Sequence, residues 1–344
     1  MMYQETLQGN FNSSSDYDIN YTYVDYPLIT LEDGNSAGVI IAVCYSIIIC
    51  ISLSGNTFLL WVLLKQVGLG NSADRFLLHL TASDLIFTIT LVPWTINQIQ
   101  GWIFGLVCCR LFTWGLFLGL YSYMMFLTVM TVHRYVAVVY PVFASSVWNR
   151  SRLYAQLLSA VVWLIPIGFS LPELFFSELV DSHQGVLCVS VDNSVLTLLG
   201  HFIQIILFFL LPFLVIAFCY TRMAFIIHQS RITSRNRHHA VCNIFCMAMG
   251  FFICWAPYNI FLFLISLRIL GVTVLNLTAW EENIYCVTHV LAYSHCCLNP
   301  LIHIFGGRKF RKYLTWLKSF TRFSQRYSSY TFSNQSSLSG QTHL

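Results

Sequence analysis

Long apolar blocks alternate with short polar stretches along this chain, and that pattern sets the first prediction. Seven blocks run roughly over residues 38–65, 74–98, 107–138, 153–172, 197–225, 240–267 and 284–305. Each supplies about the 20 residues that a helix needs to cross the hydrocarbon core of a bilayer. The polar stretches between them leave no room for a separate soluble domain. The expected fold is therefore an all-α membrane protein, a seven-transmembrane helix bundle. The polar tail 1–37 precedes a membrane domain over 38–306, and residues 307–344 follow it.

Composition excludes the soluble alternative. Only 9% of the 344 residues are charged and 57% are hydrophobic, where a soluble domain carries about 25% charged residues. The distribution of charge then orients the chain. Sixteen of the eighteen Lys and Arg residues fall after odd-numbered blocks, before even-numbered ones, or in the C-terminal tail; Arg110 and Arg268 are the exceptions. This is the positive-inside bias, which places the N-terminus outside and the C-terminus in the cytosol. Twelve of the fourteen acids fall on the opposite side, all except Asp74 and Asp84. The net charge of +4 thus hides a negative outer face and a basic inner one. No cleavable signal peptide is expected, because no basic segment followed by a short apolar core opens the chain. The sequons at Asn12, Asn20 and Asn276 fall on outer segments and are candidate glycosylation sites. Those at Asn149 and Asn334 fall inside and are discounted.

Of twelve cysteines, most lie inside the blocks and read as small buried residues. Cys108, Cys109, Cys188 and Cys286 lie on or near the outer side, where an oxidising environment favours a disulfide. No cysteine lies in residues 1–43 or in the C-terminal tail.

Span-specific residues narrow the class. Ser54-Gly-Asn56 lies in span one and Leu80-Thr-Ala-Ser-Asp84 in span two. His133-Arg134-Tyr135 closes span three, and Trp163 lies in span four. Pro212 and Tyr220 lie in span five, and Cys254-Trp255-Ala-Pro257-Tyr258 in span six. Asn299-Pro300 lies in span seven, followed by an amphipathic basic stretch, Arg308 to Tyr313. Together these resemble the rhodopsin-like G-protein-coupled receptors over residues 36–318, with a short amphipathic eighth helix after span seven. Within that class the segments Trp102-Ile-Phe-Gly, Leu120-Tyr-Ser, Trp255-Ala-Pro-Tyr-Asn259 and Ser294-His-Cys-Cys-Leu-Asn-Pro300 resemble the chemokine receptors. Leu127 to Tyr135, with His133 where most relatives carry Asp, is most similar to the XC-type (lymphotactin) receptors, whereas Val142-Phe-Ala144 is more like the CC type.

The resemblance implies specific roles. Cys109 lies 25 residues before Arg134, the spacing of this class, and is expected to pair with Cys188. A small basic chemokine would dock in two parts. The outer tail offers Asp16, Tyr17, Asp18, Tyr21, Tyr23 and Tyr26; tyrosines beside acids there are candidates for sulfation, and acidic tails steer basic ligands. The plain alternative is a tail that only solubilises. The ligand's leading segment would then enter a cavity lined by Tyr45, Trp94, Trp255, Tyr258 and His289. Taken singly, aromatics inside spans usually just pack. His289 stands where many CC-type receptors carry Glu.

Transmission would use Asp84, an acid buried in the membrane, with Tyr135, Tyr220, Trp255, Pro257, Asn299, Pro300 and His303. Arg134 would meet the G protein. In relatives Asp84 belongs to a sodium and water cluster; here Tyr123 occupies a facing position that is usually small, which leaves a sodium ion open. No other metal and no cofactor is expected. Ten Ser and Thr residues from Ser319 to Ser339 would serve receptor kinases and arrestin once phosphorylated. The remaining partner is membrane lipid, with no nucleic acid. The implied location is the plasma membrane.

Departures from the family concentrate on activation. His133 replaces an Asp that would pair with Arg134, and His303 replaces the Tyr of Asn-Pro-x-x-Tyr. Thr90-Leu-Val-Pro93-Trp94 carries its proline one residue late. Two readings follow: a signalling receptor, or an atypical one that takes up chemokine and recruits arrestin without a G protein. A transporter or channel would show internal repeats or a polar ladder, and neither is visible. An enzyme fits less, with one deep acid and no metal-spaced cluster.

Overall fold

The computed structural model describes residues 36–67, 71–142, 144, 152–182, 185–190, 194–229, 235–272 and 281–306. The tail positions Asn12, Asp16, Tyr17, Asp18, Asn20, Tyr21, Tyr23 and Tyr26, the sequon at Asn276, and the basic stretch after span seven lie outside them. Helix α1 (Ser36–Val62) continues as a π segment, Leu63–Val67. Helices α2 (Ser72–Gln100), α3 (Gly105–Val139) and α4 (Arg152–Phe176) follow, then a hairpin of β1 (Ser177–Ser182) and β2 (Gly185–Ser190). Span five is α5 (Ser194–Ile205), a π segment (Ile206–Leu210) and α6 (Leu211–Gln229). Span six is α7 (Arg235–Ile269). Span seven is α8 (Glu281–Tyr293), a 3-10 turn (Ser294–Cys297) and α9 (Leu298–Gly306).

Six of these spans form unbroken runs long and apolar enough to cross a membrane. The seventh is apolar too, but the 3-10 turn divides it. Helix ends run a few residues past the apolar windows, because polar caps extend them. Asn71 opens α2, its side chain accepting from the Ala73 amide at 3.2 Å, and Gly101, at φ 71°, closes it with its amide on the Asn97 carbonyl. In span five the Leu211 amide bonds the carbonyl of Ile206, five residues back. Pro212 follows directly and has no amide to donate, so a widened turn there costs little.

Lipid is as apolar as leucine, so burial of apolar surface does not hold such helices together. Close packing and polar bonds do that instead. Phe87, Tyr123, Met124, Phe126, Leu127 and Phe251 are almost wholly enclosed, whereas Val161, Leu164, Leu214 and Phe218 face outward. One close approach of backbone to backbone is between α2 and α3. A Cβ built on Gly119 would lie 2.8 Å from the backbone nitrogen of Phe87 and 3.0 Å from its Cα. Backbone atoms cannot rotate away, so Gly119→Ala must push the two helices apart. We expect a cost of about 1–3 kcal/mol, read as a lower Tm of the purified receptor; an unchanged Tm would show that this contact is loose.

The hairpin was not anticipated from the apolar pattern. It is antiparallel, with Leu179 opposite Cys188, and it sits over the outer end of α3. The Trp102 amide donates to the Val186 carbonyl at 2.8 Å, and Arg110 Nε donates to the Ser177 carbonyl at 3.0 Å. The Cys109–Cys188 disulfide fixes it to α3. Cys108, the alternative partner, remains a free thiol.

Candidate functional site

Three groups of residues meet along the bundle. The outermost is a small cavity, partly open to solvent. Phe117 of α3, Gln204 of α5, Trp255 and Tyr258 of α7, and His289 and Tyr293 of α8 line it. His289 is held firmly. Its ring centre lies 3.7 Å from that of Tyr285 and 4.5 Å from that of Tyr258. A carbonyl only accepts, so the 3.0 Å bond to the Tyr285 carbonyl requires a proton on Nδ1. Trp255 forms the floor, 5.5 Å from Tyr258. Of the five expected cavity residues, Trp255, Tyr258 and His289 line it. Tyr45 packs on Tyr293 at 5.5 Å and Trp94 on Trp102 at 5.0 Å, and neither is among the residues that line this cavity.

Beneath Trp255 lies a polar network that ties spans one, two and seven. Asn299 Nδ2 donates to Asp84 Oδ2 at 2.5 Å. Asn56 Nδ2 donates to the Cys296 carbonyl at 2.9 Å and to Ser52 Oγ at 3.1 Å. Ser52 in turn shares a 2.6 Å hydrogen bond with Thr88. Gly55 lies so close to span seven that a Cβ there would overlap the Pro300 ring. Ser52, Thr88 and His295 did not stand out in the sequence. Small hydroxyls inside an apolar block are a weak signal, and His295 was visible only as a letter of the His-Cys-Cys run.

The position facing Asp84 decides the sodium question. Tyr123 is fully buried there, stacked on Phe251 at 5.3 Å and edge-on to His295 at 5.0 Å. A phenol ring fills space that an ion cage needs, and Asp84 Oδ2 is already engaged by Asn299. Tyr123, rather than the donor set, argues against a resident sodium ion, since Asp84 Oδ1 and Asn299 Oδ1 are buried acceptors with no hydrogen-bond partner among the described residues. Exchange of sodium for N-methylglucamine in the buffer is therefore expected to leave the receptor's Tm unchanged. Asp84→Asn, which replaces a buried carboxyl group by a neutral amide, is expected to keep or raise it. A sodium-dependent rise in Tm that Asp84→Asn abolishes would refute this.

The innermost group surrounds Arg134. His133 is buried against Phe76, its ring edge-on at 5.5 Å, and does not offer Arg134 a carboxylate. Among the described residues, the acid that bears electrostatically on Arg134 is Asp74, in the first turn of α2, with Tyr220 also within reach. His303 is buried and acts on the same guanidinium. Tyr135 points toward Phe218 at 5.9 Å, and Tyr220 sits edge-on to Phe245 at 5.0 Å. Pro257 lies inside α7 two residues after Trp255, so a donor-free position separates the cavity floor from the outer half of span six.

Comparison with known proteins agrees with this geometry. The family model "7 transmembrane receptor (rhodopsin family)" matches residues 55–303. The chain is 35% identical to C-C chemokine receptor type 8 of Macaca mulatta over 90% of this chain and 87% of that protein. It is 36% identical to Chemokine XC receptor 1 of Homo sapiens over 79% of each, and 32% identical to human C-C chemokine receptor type 4 over 88% of this chain and 84% of that one. The XC and CC types thus stand at similar distances. With these relatives, its apolar spans and its disulfide between span three and the outer hairpin, the chain belongs to the chemokine receptors of the rhodopsin-like class, multi-pass membrane receptors and not enzymes.

Proposed function

We propose that this receptor sits in the plasma membrane with its acidic tail outside, binds a small basic chemokine of XC-like or CC-like type, and activates an inhibitory-type G protein. Chemotaxis and calcium signalling would follow. The observation that carries this reading is the direct stacking of three sites. An open aromatic cavity rests on Trp255, Trp255 lies 5.4 Å from His295, and His295 abuts Tyr123 above the Asp84–Asn299 bond. A ligand that moves Trp255 therefore has a packed route inward, and Arg134 stands at its cytosolic end. The tail residues Asp16, Tyr17, Asp18, Tyr21, Tyr23 and Tyr26 would supply the first, electrostatic encounter.

A second reading, chemokine uptake with arrestin and no G protein, is favoured by one observation. Both family-atypical residues, His133 and His303, lie at Arg134, where coupling would occur. One experiment separates the two. Cells expressing the receptor are exposed to a chemokine panel that includes the XC type, and cAMP inhibition and arrestin recruitment are recorded together. Inhibition of cAMP by one ligand supports the signalling receptor. Arrestin recruitment alone supports uptake. Silence in both, with surface expression confirmed, would overturn the chemokine assignment.

A further inference from the structure

We infer that the outer cavity is a subsite for an uncharged, amide-bearing tip of the ligand, and that Gln204 is the residue that reads it. This deepens the receptor reading above and rests on it.

Gln204 stands on α5, two residues before the π segment, and is 6% exposed. It lines the cavity, yet its amide nitrogen has no hydrogen-bond partner among the described residues. An amide buried without a partner is costly, and a side chain of this kind persists where something arrives to satisfy it. The two ends of a glutamine amide interchange by a flip, so Gln204 can offer a donor or an acceptor. A peptide-like amide carries both and matches either orientation.

A charged amine does not match. Among the described residues no acid lines the cavity. The one deep carboxylate, Asp84, is engaged by Asn299, and Tyr123 and Trp255 lie between it and the cavity. The faces of Trp255 and Tyr258 attract a cation only weakly compared with what an ammonium loses on leaving water. What the walls do complement is apolar surface: Phe117, Leu120 and Tyr293 line the cavity together with Gln204. The expected ligand tip is therefore apolar and capped as an amide, with no free positive charge at this depth.

The test uses purified full-length receptor in lipid nanodiscs and two small probes sharing one apolar group, N-isobutylacetamide and isobutylammonium chloride. Thermal unfolding is followed as each is titrated. The neutral amide is expected to raise Tm, with the ammonium at least about tenfold weaker in half-saturating concentration. Gln204→Leu should abolish the response to the amide, and His289→Glu should shift preference toward the ammonium. If Gln204→Leu fails to fold, Gln204→Glu gives the same answer by moving preference to the ammonium probe. Equal response to both probes, no response to either, or an unchanged amide response in Gln204→Leu would overturn the subsite. The chemokine panel stands apart from this measurement. Probe discrimination with a silent panel removes the chemokine reading and keeps the subsite, and a responding panel without discrimination does the reverse.

Discussion

Cys109→Ala or Cys188→Ala is expected to remove most of the receptor from the cell surface. The bond joins residues 79 apart in sequence. Closing a loop of that length restricts the unfolded chain by about 4–5 kcal/mol, against a typical total stability of about 5–15 kcal/mol. Local consequences add to this. Without the disulfide, the Trp102–Val186 and Arg110–Ser177 bonds and the packing of Leu179 and Leu187 would have to hold the hairpin over α3. Flow cytometry of a tagged receptor gives the surface level. Cys108→Ala is the control, because that thiol is free, and it should match wild type. Surface expression of Cys109→Ala near the wild-type level would show that the hairpin holds without its covalent tie.

The second large effect concerns resting activity. Arg134 has His133 rather than a carboxylate beside it in sequence, and Asp74 bears on it electrostatically from α2. Asp74→Asn should free Arg134 and raise ligand-independent cAMP inhibition by about two- to fivefold, the factor that about 0.5–1 kcal/mol of a partly exposed pair represents. His133→Asp should lower it by a similar factor by restoring an adjacent acid. The double variant should fall at or below wild type. Asp74 also sits at a helix N-terminus, where a negative charge is mildly stabilising, so Tm is measured alongside; a purely structural role would lower Tm and leave basal activity alone. Equal or higher basal activity in His133→Asp would sink the argument.

How much of this was legible beforehand depends on the physics that fixed each part. Span positions were legible because a bilayer demands about 20 apolar residues in a row, and no other solvent does. The seventh span was legible as apolar sequence but not as broken helix, since the 3-10 turn at Ser294–Cys297 reflects packing against spans one, two and six. The hairpin was hidden because Glu178, Asp181 and Ser182 read as loop; it owes its form to the disulfide and to the Trp102 bond. Gln204 was hidden for a different reason. One amide in an apolar block has no periodic partner, and only a cavity beside it gives it meaning. The electrostatic influence of Asp74 on Arg134 joins residues sixty apart, which no local pattern reports.

The π segment at Ile206–Leu210 has a consequence for how span five tolerates change. An α-helix turns by about 100° per residue. A π turn takes in one extra residue, so the outer and inner halves of the span are out of step by about that angle. Removing one residue from Ile206–Leu210 would restore a continuous α phase. The outer half would then swing round, carrying Gln204 and His201 away from the bundle while Tyr220 kept its place at the inner end. The same deletion placed elsewhere in the span would add a second mismatch instead. The extra residue thus works as an angular coupling between two half-helices, and it lets the outer face diversify without re-aiming the inner one.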